Sequence, residues 1–200
     1  MAFDDLVAAA RAAVASRQRR APLEELRGRV RSAPTARDVT SALRSPGRAV
    51  SVIAEVKRAT ATFADLSGVG DVAVLARFYE AGGAACVSVV TEPVRSHGRL
   101  ADLDAVRGAV EVPVLANDVI VTPYQVHEAR AHGADMLVVD ARLEPLVLES
   151  LIERTHSLGM AAGGGGHSRP QALAPPPAAA RDHRRGGPTR SDRSVTVPTA

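Results

Sequence analysis

Along residues 3–17 the apolar positions Phe3, Leu6, Val7, Ala10 and Val14 recur every three or four residues, which predicts an amphipathic helix with one buried stripe. Pro22 suits a first helical turn, and Leu23, Leu26 and Val30 continue a second stripe up to Ala33 and Pro34. Thr35 with Asp38 has the form of an N-cap pair for a third, short helix ending near Pro46 and Gly47. At Ala49 the period changes. Residues 50–57 are a short β-branched run, and apolar runs follow at 85–90, 112–115 and 136–139. Between them, helical patterns start at Val72, cover 101–109, open at Pro123 and cover 145–158, with Gly83, Gly133 and Gly159 as stops. Strands alternating with helices predict parallel βαβ units whose strands are buried on both faces. The first strand is not followed by Gly-x-Gly-x-x-Gly, so the pattern favours a (β/α)₈ barrel over a dinucleotide-binding sheet.

After Met160 this periodicity stops. Residues 163–166 are four glycines, 175–177 three prolines, and Arg184 and Arg185 precede another Gly-Gly-Pro break. Glycine loses the most backbone freedom on ordering and proline withholds a donor, so the composition predicts a disordered tail with no strand at 163–166. The expected organisation is a helical extension over 1–48, a partial TIM-barrel domain of four to five βα units over 49–160, and a disordered Gly/Pro/Arg-rich tail over 161–200.

Composition changes this picture in two places. The chain has no Trp and only 2% aromatic residues, so its core has to be aliphatic. The net charge of +3 is uneven: six arginines against Asp182 and Asp192 place +4 on residues 161–200 and leave the first 160 residues at −1. The body therefore gives no electrostatic reason to expect nucleic acid. An Arg-rich tail binding an acidic partner is a competing reading, weakened by the lack of aromatics for stacking. One cysteine, Cys86, inside an apolar run, excludes a disulfide framework and reads as a core residue. No secretory signal and no membrane-length apolar run is present, so a cytoplasmic location is expected. The six histidines lack metal-ligand spacing, and no metal is expected.

Lys57 is the residue with most chemical content. It is the single lysine among 25 basic residues, and it sits at the C-terminal end of the first predicted strand. Lysine can give up a proton where arginine stays charged, and that end of a barrel strand is where catalytic groups collect. Glu55 lies two residues earlier and shares Lys57's face under strand alternation. Pairing with Lys57 removes the cost of an inward carboxylate.

Ile53-Ala-Glu-Val-Lys-Arg58 resembles the first strand of the indole-3-glycerol-phosphate synthase family of tryptophan biosynthesis, which carries a catalytic Glu and Lys at the positions of Glu55 and Lys57. Tyr79-Glu-Ala-Gly-Gly-Ala-Ala85, Ser88-Val-Val-Thr-Glu92, Leu100-Ala-Asp-Leu103, Pro113-Val-Leu115, Tyr124-Gln125 and Leu151-Ile-Glu-Arg154 match in order and spacing. The resemblance covers residues 1–160. It implies a carboxy-lyase: ring closure, decarboxylation and dehydration of a phosphorylated carboxyphenylamino-deoxyribulose, without cofactor or metal. It also implies a small-molecule partner rather than nucleic acid or membrane. Lys57 would bind the substrate carboxylate, Glu55 would hold Lys57, and the hydroxyls of Thr60 and Thr62 would replace the family's Ser-Pro-Ser-Lys-Gly loop.

Three departures bear on activity. The loop Ser96-His97-Gly98-Arg99 lacks the family's aromatic platform. Asn117 stands where the family has the lysine that acts as general acid, and an amide cannot protonate a carbonyl. The family's second catalytic Glu lies in strand five, for which no counterpart is expected. Read one nucleotide later, the codons of Ala162 to Gly166 permit Leu-Val-Glu-Val, the family's fifth strand, which suggests a frameshift near residue 161. A catalytically inactive remnant of the family is therefore the alternative to an active lyase.

Overall fold

The computed structural model describes residues 2–44, 50–59, 70–165 and 171–174. Three helices come first, α1 (Phe3–Arg20), α2 (Leu23–Ser32) and α3 (Val39–Leu43). Strands and helices then alternate: β1 (Ile53–Val56), α4 (Val72–Ala81), β2 (Cys86–Val90), α5 (Leu100–Arg107), β3 (Val114–Asn117), α6 (Pro123–Ala131), β4 (Met136–Asp140) and α7 (Pro145–Ser157), followed by β5 (Ala161–Gly165) and β6 (Gln171–Ala174). The strand order is the chain order, and β1 to β5 run parallel. A doubly wound sheet reverses its order at a switch point. Consecutive neighbours without reversal are the arrangement of a partial (β/α)₈ barrel.

Alternation assigns the two faces of the sheet. Val56, Val87, Val89, Val114, Leu137 and Val139 point outward and pack on Ala76, Leu103, Val106, Val126 and Leu151 of the covering helices. Burial of such side chains contributes about 1.5–3 kcal/mol each. Cys86, Leu115, Met136 and Ala161 point inward, where Val39 of α3 packs against them and plugs the N-terminal end of the inner face. Cys86 is thus a core residue, and burial pushes its thiol up to about 12.

The extension is fastened to α6. Val14 and Leu26 bury against Tyr124, the Tyr124 hydroxyl donates to Ala21 O at 2.9 Å, and Arg17 Nε donates to both Glu128 oxygens at 2.8 and 3.0 Å. Within it the third helix is capped by Asp38, whose carboxylate accepts from Ser41 N at 3.0 Å, while its expected end near Pro46 and Gly47 lies outside the described residues.

The tail departs from expectation at its start. Residues 161–165, read as the beginning of a disordered tail, form a fifth parallel strand in register with β4 from Met136↔Ala161 to Asp140↔Gly165. Residues 171–174 return antiparallel on β5. The glycine run misled because strand pairing is a backbone matter. The free edge of β4 offers N–H and C=O groups that need partners, and the turn at Gly159 (φ 77) with buried Met160 delivers the chain into register. Residues 166–170 and 175–200 of the expected tail lie outside the described residues.

Candidate active site

β1 alternates Val56 outward and Glu55 inward, so Glu55 is carried to the inner face near the C-terminal rim of the sheet. Lys57, just past the strand, folds back on it: Nζ lies 2.8 Å from Glu55 Oε1. The register then supplies two further donors. Ser88 is opposite Glu55 on β2, and its Oγ donates to Glu55 Oε2 at 3.4 Å. Asn117 ends β3, and its Nδ2 donates to the same oxygen at 2.9 Å. One carboxylate thus gathers an ammonium, an amide and a hydroxyl from three adjacent strand ends. The Lys57 and Glu55 side chains are 32% and 36% exposed, so the cluster is open to a ligand from the inner face. The predicted residues Glu55, Lys57 and Asn117 come together. Thr60 and Thr62 lie outside the described residues.

The backbone under the cluster is braced. Tyr79 OH donates to Glu55 O at 3.4 Å, and Arg58, on the opposite face from Lys57, forms a two-point pair with Asp102 at 2.7 and 2.6 Å. Thr91 N donates to Asn117 O at 3.0 Å, while Thr91 Oγ1 donates to Asp118 Oδ2 at 3.2 Å. Burial pushes the Asp118 carboxyl up to about 6, against the lowering effect of the Val119 N–H it accepts at 2.7 Å, of Arg17 and of the Thr91 hydroxyl. The loop after β2 is closed by the Glu92 carboxylate, which accepts from Val94 N, Arg95 N and Ser96 N at 2.7, 2.8 and 3.0 Å. It needs Gly98, since a Cβ there would lie 2.3 Å from Val90 O. This loop holds its shape without an aromatic platform.

Ser88 was not singled out from sequence. The signal was present, as a hydroxyl in the otherwise apolar run 85–90, but its meaning depends on register with Glu55. No group of His, Cys, Asp and Glu that could hold a metal occurs among the described residues. No helix among them is long and apolar enough to cross a membrane.

A family model described as Indole-3-glycerol phosphate synthase matches residues 3–162. The enzyme of that name from Mycolicibacterium smegmatis is 53% identical over 161 residues, which cover 80% of this chain and 58% of the relative. Those from Mycobacterium sp. strain KMS and Mycobacterium avium are 54% and 52% identical over the same shares. The chain thus spans 58% of the length of these curated relatives, and the family match ends inside β5. With the ordered motifs, the consecutive parallel strands and a profile covering most of its length all in agreement, the chain belongs to the indole-3-glycerol phosphate synthase family.

Proposed function

We propose that the inner-face cluster is the substrate-carboxylate end of a lyase site for 1-(2-carboxyphenylamino)-1-deoxyribulose 5-phosphate. The family acts on a phosphorylated small molecule, and this substrate is the finer reading. The observation that carries it is the ammonium of Lys57 held 2.8 Å from Glu55 on an accessible inner face. In that reading Lys57 binds the aryl carboxylate and assists proton transfer, while Glu55 fixes the position of its charge. Ring closure needs a proton on the ketone oxygen as the aromatic carbon attacks. Loss of carbon dioxide then restores the ring, and loss of water gives the indole.

Asn117 favours a second reading for turnover. Its amide hydrogen-bonds Glu55 but has no proton to transfer, and losing a positioned general acid costs roughly 10²–10⁴-fold. β5 reads Ala-Ala-Gly-Gly-Gly and brings no carboxylate to the inner face. The chain is thus proposed to hold substrate weakly and turn it over at or below detection, as an impaired member of its family. Equilibrium binding of the substrate, with indole formation followed by fluorescence, tests both parts. Saturable binding lost in Lys57→Met is expected, with no product and no complementation of a tryptophan auxotroph lacking the enzyme. Absence of binding would overturn the site assignment, and clear complementation would overturn the impairment.

A further inference from the structure

Five of the seven exposed large apolar side chains among the described residues share one flank of the molecule. Val50, Val52 and Ile53 belong to β1 and the residues leading into it, and Val74 and Phe78 belong to α4. Phe78, 70% exposed, is the largest of them. β1 is an edge strand. Ala85 N donates to Val52 O at 2.8 Å, so alternation turns the main-chain N–H and C=O of Ile53 and Glu55 away from β2. Glu55 O takes Tyr79 OH at 3.4 Å on that side, and no strand pairs there among the described residues. Such an edge is a template for a further strand.

The stripe on α4 faces the same way. Glu80 Oε1 accepts Glu111 N at 2.8 Å and Val112 N at 2.9 Å, which turns Glu80 toward α5 and the loop after it. Phe78 is about 160° round the helix from Glu80, and Val74 lies one turn before Phe78. Both therefore flank the free side of β1, where a strand added to the edge would bring its own covering helix. In a closed (β/α)₈ barrel the eighth strand and its helix take that place, and the residues matched to the family end inside β5. The exposed surface of the five side chains is roughly 500 Å² per copy. Two copies bring roughly 1,000 Å², the lower bound of a specific interface, before main-chain and polar atoms are counted.

We propose that this flank pairs with the same flank of a second copy, the two β1 strands running antiparallel across a twofold axis normal to the sheet. The spacing of the layers favours it. α4 packs on both β1 and β2, so its axis lies over the gap between them. With strands about 4.8 Å apart, the two α4 helices come about 10 Å apart, the distance at which helices pack. They run antiparallel with opposed dipoles, and Val74 and Phe78 give each an i, i+4 ridge to set into the other. The far edge of the sheet offers no closed alternative. β6 set on β1 of a next copy joins two different surfaces, and such addition is open-ended. The pairing uses main-chain atoms of β1 and the outer side of α4, so it is independent of the lyase reading.

Sedimentation equilibrium of the full chain tests this. A monomer–dimer equilibrium is expected, with a Kd of about 10 µM or tighter. Phe78→Glu puts a charge at the centre of the pair and should weaken it by about 30-fold or more, the effect of losing an aromatic anchor. Leu146→Glu makes the same kind of change at an exposed leucine away from this flank and should leave the Kd unchanged. Both side chains are exposed, so both variants should keep the parent's circular dichroism. In the parent, amide hydrogen exchange at Ile53 should slow as concentration rises through the Kd, and in Phe78→Glu it should not. The proposal fails if the chain is monomeric at about ten times that Kd, if Phe78→Glu dimerises as the parent does, or if Leu146→Glu disrupts the dimer equally. A dimer that leaves Ile53 exchange unchanged would overturn the strand pairing. Growth beyond a dimer would place the contact at β6, and a monomer with Ile53 protected at every concentration would show the edge covered by the same chain; either result overturns the proposal.

Discussion

Two carboxylates organise this molecule, one at each end of the sheet, and they are built differently. Asp135 at the N-terminal end is 0% exposed and takes two backbone N–H groups, from Arg37 and Val114, besides the Arg107 guanidinium. It joins the helical extension, β3 and α5 at one point. Glu55 at the C-terminal end is about a third exposed, and among the described residues its carboxylate takes only side-chain donors: Lys57, Asn117 and Ser88. Backbone donors tie a carboxylate to the fold, whereas side-chain donors on an open face can be exchanged without moving a strand. This division follows the usual separation in barrels, with stability at the floor and chemistry at the rim.

The largest effect should come from the floor. Asp135→Ala removes a buried acceptor from two backbone N–H groups and leaves Arg107 without its partner, which costs about 3–5 kcal/mol. Urea denaturation followed by circular dichroism measures it. A loss below about 1 kcal/mol, the scale of exposed ion pairs, would erase the contrast between the two carboxylates.

Asp118 lies between the extremes. It sits at the rim beside Asn117, yet burial pushes its carboxyl up to about 6. A folded value above the unfolded one means that this group's stability contribution is fully present below about pH 4 and is lost as pH rises through 6. Asp118→Asn, which cannot ionise, should therefore be more stable than the parent above pH 7. The ceiling is about 2.7 kcal/mol for two pKa units, and the difference should close as pH falls and vanish below about 4. Urea midpoints at pH 8 and pH 4 supply the comparison. An advantage that does not change with pH would show that burial of this carboxylate is not what separates it from Glu55.

Much of this was legible in the chain, and the failures have physical causes. Three helices precede β1 and helices alternate with strands after it, as the apolar spacing suggests, because that spacing records which face an element buries. Glu55 and Lys57 were readable as a pair because positions i and i+2 share a strand face. Ser88 was not, since its place beside Glu55 depends on register between strands. The floor was the least legible region. On α6 every residue from Tyr124 to Arg130 is buried, polar ones included, because the helix is sandwiched between sheet and extension. Such a helix carries no amphipathic stripe from which Arg130 could be picked out. β5 was hidden by its glycines, which pair through the backbone while bringing no side chains to announce a strand.

That last point gives a smaller prediction. Gly163 is on the inner face, where a Cβ would meet the tip of Met136 at 2.6 Å. The methionine end is mobile enough to swing aside, and alanine removes the entropy that glycine loses in a strand. Gly163→Ala should stabilise by about 0.5–1 kcal/mol, read from thermal unfolding. A loss of stability would mean that the β4–β5 contact is tighter than a flexible side chain permits.

The smallest stability effect should come from the residue with the most chemistry. The Lys57–Glu55 pair is about a third exposed on both sides, and pairs of that kind contribute roughly 0–1 kcal/mol. In Lys57→Met the carboxylate keeps Asn117 Nδ2 at 2.9 Å and Ser88 Oγ at 3.4 Å, so it is not left unsatisfied. The methionine stem still covers the strand end that the lysine stem covered. The change in unfolding free energy should stay within about 0.5 kcal/mol, the range of substitutions that disturb no packed or buried group, while binding of the substrate's aryl carboxylate is lost. The two measurements belong on the same variant. A loss of stability approaching that of Asp135→Ala would make Lys57 a structural strand-end lysine, and retained substrate binding would do so without any change in stability.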